Sequence, residues 1–274
     1  MSETKQSGGQ FIMLGEAKIR YFEQGEGETV LFIHGLGQAM YTFRRNVLEL
    51  AKHCHVVSID LIGHGLSSCT ECDYTIADFS KLIAEFMDAM SIEKATLVGF
   101  STGAMIALDV AENYPDLVKR LVLLSPGGVT KTYPAQIKRL KKQLFADMYF
   151  TFFNKSMIKK VLMQAYYNPT FVKKDVIEHY FKVLSISDTR DAFINAVASW
   201  DDYSVYENLS LVTAPAYIFW GEEDTFHPIA MLETFEEELS DVFVATFAAC
   251  GHLVHEERAN EFNQKLISII SSND

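Results

Sequence analysis

The sequence predicts an α/β protein: a mostly parallel central sheet flanked by helices, interrupted once by a helical insertion. Three observations predict it. Short apolar runs recur along the chain with helical periodicity between them, the pattern of a sheet covered on both faces. That rhythm breaks after "SPGGV" (125–129) and resumes near Pro215, and the stretch between is helical in period with no buried strand pattern. At 274 residues, 49% of them hydrophobic, the chain can bury one large α/β core and still carry an insertion.

Each element follows from its own residues. "QFIML" (10–14) and "KIRYF" (18–22) bracket "GEA" and read as an opening β-hairpin. "TVLFI" (29–33) is a buried strand ending at His34-Gly35, and "HVVSID" (55–60), "ATLVGF" (95–100) and "RLVLLS" (120–125) share its form. "AYIFW" (216–220) and "VFVATF" (242–247) follow late in the chain. Over 76–90, Ile76, Phe79, Leu82, Ile83, Phe86 and Met90 fall on one helical face. Residues 104–113 form a second helix, stopped by Tyr114-Pro115, and 257–270 a last one carrying Phe262, Leu266 and Ile269 or Ile270. Residues 1–128 and 212–274 are therefore assigned to the core. Residues 129–211 are assigned to a helical cap over the carboxyl edge of the sheet, where open α/β sheets keep their crevice.

Composition narrows the function. A formal charge of −12 opposes nucleic-acid binding, which needs excess Lys and Arg to displace counterions. The opening "MSETKQSGGQFIML" lacks a basic stretch followed by a long apolar one, so no signal peptide is read, and no apolar run approaches a membrane span. Cys54, Cys69, Cys72 and Cys250 are then expected to be reduced thiols of a cytoplasmic protein. "CTEC" (69–72), near His64, has the spacing of a zinc pair, but no second close pair exists, and it reads as a surface loop.

The chemistry starts at "GFSTG" (99–103), G-x-S-x-G between a buried strand and a helix. Such a turn strains its central residue, and glycines on either side remove side chains that would collide. Ser101 is the candidate nucleophile. A serine hydroxyl needs a base to take its proton and an acid to orient that base. His252, in "AACGHLVHEE", follows the last strand and precedes the last helix. His255 is its rival, read as a surface or capping residue, while His34 belongs to the loop after the first buried strand. His53, His55, His64, His179 and His227 lack the required position. Asp224, in "WGEEDTFHP" (220–228), is the candidate acid, with Glu222 and Glu223 as competitors. Ser125, at the end of "RLVLLS" (120–125), carries no carboxylate and offers no competing acid.

Through "HGLG" (34–37), "DLIGHGLS" (60–67), "GFSTG", "WGEEDTFHP" and "GHLVHEE", nearly the whole chain resembles the α/β-hydrolase fold proteins. The resemblance implies an oxyanion hole from the backbone N–H groups of Leu36 and Thr102, a structural role for Asp60 and His64, and no metal or organic cofactor. The implied activity is that of a serine esterase acting on a small apolar or aromatic substrate. Meta-cleavage hydrolases, which cut a carbon–carbon bond, and cofactor-free perhydrolases or haloperoxidases use the same triad and stay open as alternatives. So does a small-ligand receptor on this fold. Ser101 argues against haloalkane dehalogenases and epoxide hydrolases, which use aspartate there. A dinucleotide reading of "GLGQAM" (35–40) with Asp60 puts Met40 where the third glycine belongs and leaves the triad unexplained.

The cap is unlike the rest. Residues 131–174 hold ten Lys and Arg against Asp147 alone. Ile137, Leu140 and Leu144 share one helical face, and Met157, Ile158, Val161 and Leu162 another. The favoured expectation is that these faces pack on the acidic body and the lysines are solvated. The alternative is attraction of anionic substrates or peripheral contact with an anionic membrane. Tyr149, Phe152, Phe153, Met157, Met163 and Tyr166 are candidates for an apolar pocket. The oligomeric state is not legible.

Overall fold

The computed structural model describes residues 9–127, 139–201 and 203–272. Ile137, named above, and Lys131 and Lys138 of the same basic segment lie outside the described residues. Eight strands form one sheet in the order β1-β2-β4-β3-β5-β6-β7-β8. They are β1 Gln10–Leu14, β2 Ala17–Gln24, β3 Thr29–Ile33, β4 His55–Ile59, β5 Ala95–Phe100, β6 Val118–Leu124, β7 Ala216–Gly221 and β8 Val242–Phe247. β2 pairs antiparallel with β1 and β4, and every pairing from β4 to β8 is parallel. This is the expected mostly parallel sheet flanked by helices.

Helices pack on both faces. The early ones are α1 Val47–Leu50, α2 Ile76–Ala89 and α3 Thr102–Asn113; the late ones are α9 Leu232–Glu238, α10 Val254–Glu257 and α11 Ala259–Ser271. α2 begins at a capping box: the Thr75 hydroxyl accepts from Asp78 N, and Asp78 Oδ2 accepts from Thr75 N, an arrangement worth about 1 kcal/mol per capped donor. Its apolar stripe is buried with α3 in one core, and α1 and α11 close a second core on the opposite face. Such fully buried side chains contribute roughly 1.5–3 kcal/mol each.

Between β6 and β7 lie α4 Gln143–Thr151, α5 Lys155–Ala165, α6 Lys174–Leu184, α7 Ser187–Ala198 and α8 Tyr203–Tyr206. Ile158, Leu162, Val176 and Tyr180 of these helices join the α1–α11 core. Leu144 does not follow the expected packing. It is 77% exposed, because α4 is apolar on two sides and only one can face inward. No described helix is long and apolar enough to cross a membrane.

Candidate active site

β5 delivers Ser101 at its carboxyl end, and α3 starts at the next residue. The serine backbone is held at φ 53°, ψ −116°, a conformation an L-residue keeps only when its surroundings over-determine it. Here the Ser101 N–H donates to Leu124 O at 2.9 Å. The glycines make room for the turn. A Cβ on Gly103 would collide with Ile33 O and lie 2.6 Å from His34 O, and one on Gly99 would strike Gly103 O. Gly103→Ala is therefore expected to destabilise the fold by about 3 kcal/mol, read as a lowered midpoint in urea. An unchanged midpoint would show that β3 and α3 are free to separate.

Two other strand ends bring the partners. Asp224 follows β7 and His252 follows β8. His252 Nδ1 donates to Asp224 Oδ2 at 2.7 Å, while Asp224 Oδ1 accepts from the N–H groups of Phe226 at 2.8 Å and His227 at 2.9 Å. Burial alone would raise the Asp224 carboxyl, but the charge and hydrogen bond of His252 outweigh it and hold the group below its ordinary value. With Nδ1–H committed to the carboxylate, the neutral His252 ring leaves Nε2 with a lone pair. Ser101 and His252 open onto one cavity.

The rival residues are occupied elsewhere. Glu222 accepts from Thr246 Oγ1, and Glu223 from Cys250 N. His255 is a correction: it is fully buried, not a surface residue. Thr42 Oγ1 donates to Glu256 Oε1, so His255 Nε2, 2.8 Å away, donates to Thr42. Asp60, the would-be ribose ligand of a dinucleotide, is fully buried and accepts from Met40 N, Leu66 N and Arg20 Nη1. That closes the dinucleotide reading. Among the described residues no group of three or more His, Cys, Asp or Glu could hold a metal ion.

Leu36 lines the cavity, and Thr102 is the first residue of α3. Among the described residues neither N–H donates to another backbone or side-chain acceptor. His34 sets the Leu36 loop: its Nδ1 donates to Gly35 O at 2.8 Å, and its Nε2 accepts from Leu61 N at 3.0 Å.

His227 was set aside on sequence and nevertheless stands in the site. Its ring lies edge-on to His252, centroids 4.9 Å apart, and Nδ1 donates to Ser125 O at 2.8 Å. Burial, with the nearby His252, lowers it to about 4. The signal is not local, since its anchor is a carbonyl at the end of β6.

The cavity measures about 890 Å³, at the upper end of the ~300–1,000 Å³ typical of small-molecule sites. Tyr149, Phe153 and Met157 line it, as expected. Phe152 and Met163 point to solvent instead, 69% and 45% exposed, and Tyr166 is buried with its hydroxyl on Glu256 Oε2 at 2.6 Å. Near the carboxyl end of α5 the chain is tied to the loops that carry the pair. His252 N donates to Ala165 O, Thr225 Oγ1 to Gln164 O, and the N–H groups of Tyr167 and Asn168 to the Glu257 carboxylate.

A family model described as the alpha/beta hydrolase fold matches residues 28–259. A 2-hydroxy-6-oxononadienedioate/2-hydroxy-6-oxononatrienedioate hydrolase of Paraburkholderia phymatum is 27% identical over 278 residues, 93% of this chain and 91% of that protein. A 2-hydroxy-6-oxo-6-phenylhexa-2,4-dienoate hydrolase of Comamonas testosteroni is 25% identical over 272 residues, covering 94% and 92%. Among solved structures, a meta-cleavage product hydrolase of Pseudomonas fluorescens aligns with a TM-score of 0.83 over 97% of this chain and 98% of that one; at 23% identity this is a likeness of fold. With the sheet order and the strand–serine–helix turn in agreement, the chain belongs to the alpha/beta hydrolase fold family.

Proposed function

We propose that this hydrolase cleaves a carboxylic ester, or a similar acyl bond, of an apolar or aromatic substrate through a Ser101–His252–Asp224 triad. The observation that carries the reading is the shared cavity: a strained serine turn and a histidine–aspartate pair open onto one apolar space. Ser101 Oγ attacks the carbonyl carbon while His252 Nε2 takes its proton, and Asp224 stabilises the imidazolium. The N–H groups of Leu36 and Thr102 receive the oxyanion; one such donor is worth ~2.7–4 kcal/mol. His252 then protonates the leaving alkoxide as the carbon–oxygen bond breaks. Water, deprotonated by His252, attacks the acyl carbon in turn and releases the acid and free Ser101. Residues 129–211 serve as the cap that supplies the apolar wall.

The names of the relatives support a second reading, cleavage of a carbon–carbon bond in a carboxylate-bearing dienoate. The mostly apolar lining supports the ester, while Lys160, the one cationic side chain among the described lining residues, is where the carboxylate of the second reading would have to be met. Arg190, three residues before Phe193 of the lining, pairs with Asp191 at 3.1 Å and does not line the cavity. The test compares kcat/KM for p-nitrophenyl esters, acetate to long-chain acyl, with that for 2-hydroxy-6-oxo-6-phenylhexa-2,4-dienoate. The expected result is a preference for the esters that grows with chain length. Preference for the dienoate would install the second reading, and turnover of neither would favour a ligand receptor.

A further inference from the structure

We propose that the outward face of α4 docks the protein on an anionic lipid surface. At 100° per residue, Leu144, Phe145, Met148 and the capping Phe152 fall within about 100° of arc. They are 77%, 41%, 53% and 69% exposed. The other side of the same helix is already used: Ala146 is buried, and Tyr149 and Phe150 line the cavity. A helix apolar on both sides and covered on one has, among the described residues, an unpartnered face.

Charge selects what covers it. Residues 139–165 carry Arg139, Lys141, Lys142, Lys155, Lys159 and Lys160 against Asp147 alone, in a chain of net charge −12. Lys142, Lys159 and Lys160 are exposed, and none has a carboxylate within salt-bridge distance among the described residues. An anionic bilayer repels the acidic body and attracts this segment, which leaves the α4 face as the one that can approach it. Apolar side chains entering the headgroup boundary, with lysines of the same chain segment meeting lipid phosphates, is the pattern of an interfacial site. A second copy fits less well, because a two-fold contact through this face sets lysines against lysines. Val161, on the neighbouring α5, is 43% exposed and also lines the cavity wall. The dock stands independently of the proposed ester chemistry, although it would deliver a poorly soluble substrate to that wall.

The test is co-sedimentation with vesicles of phosphatidylcholine alone and of phosphatidylcholine mixed with phosphatidylglycerol. Wild type and Ser101→Ala are both expected to sediment with the mixed vesicles, which separates docking from catalysis. Leu144→Ser/Met148→Gln/Phe152→Ser and, separately, Lys142→Glu/Lys159→Glu are expected to lose binding by about tenfold or more, with wild-type thermal unfolding and unchanged rates on soluble p-nitrophenyl acetate. Wild type that stays with neither vesicle overturns the proposal. So does undiminished binding by both variants, or a wild-type dimer that the first variant dissolves while no lipid is bound.

Discussion

Ser101→Ala is expected to lower kcat on p-nitrophenyl esters by about 10⁴-fold or more, with KM nearly unchanged. The apolar lining is untouched, so most ground-state binding survives; what disappears is the atom proposed to form the acyl-enzyme. His252 and the two N–H donors remain and leave only weak activation of water. Asp224→Asn belongs to the same experiment. Its backbone donors from Phe226 and His227 are matched by a carboxamide oxygen, but the His252 Nδ1–H then faces an NH₂ or a neutral oxygen, and a loss of roughly 10⁴-fold is expected. Alanine at 101 keeps the φ of 53° and relieves no backbone strain, so thermal unfolding stays close to wild type. Turnover by Ser101→Ala within tenfold of wild type would falsify the assignment of the nucleophile.

The second large effect is acid lability. His34, His64, His227 and His255 are buried. Burial holds all four below their ordinary 6.5: His34 and His227 at about 4, His64 at about 3, and His255 well below it. Unfolded, the same rings protonate near ~6.5. Between those limits these four rings bind more protons unfolded than folded, so their contribution is complete above pH ~6.5 and falls as the pH drops, partly offset by the carboxyls of Asp60, Asp109 and Glu257, which burial raises. Each ring adds a slope of up to about 1.4 kcal/mol per pH unit, and four together up to about 5.5. Against a typical ~5–15 kcal/mol of total stability, acid unfolding is expected with a midpoint roughly between pH 4 and 5.5. Asp224, held low, adds stability that is lost only below the ordinary carboxylate value near ~3.9, after the histidines have acted. Circular dichroism melts across a pH series check this; a flat melting temperature from neutral pH to pH 4.5 would contradict it.

How much of this was legible in the sequence depends on the distance over which each residue's role is set. The strands around the serine turn read clearly, because β3, β5 and β6 are continuous apolar runs and a strained turn announces itself through Gly99 and Gly103. The meeting of Asp224 with His252 was legible because each follows a strand whose carboxyl end must reach the same edge. His227 was not. Its place depends on Ser125 O, 102 residues away, and no periodicity reports such a contact. His255 was misread for a similar reason: its partner Thr42 lies in the loop region after β3. The outward turn of Leu144 was invisible because a helix apolar on two sides carries no mark of which side the core will take.

The hydrogen bonds near the end of α5 give the helical segment between β6 and β7 a mechanical asymmetry. From Gln164 to Asn168 the chain is pinned to the Thr225, His252 and Glu257 loops, and Tyr166 is pinned to Glu256, which Arg44 grips with both terminal nitrogens. The α5 end of this wall cannot shift without dragging the imidazole, whereas the α4 end is tied to other parts of the same helical segment, Lys141 Nζ to Trp200 O and the Phe150 ring against Phe193. Changes in size or sequence around residues 139–153 can therefore reshape the cavity at little cost to the alignment of the reacting groups. The same change at residues 164–168 would be felt first as a misplaced base.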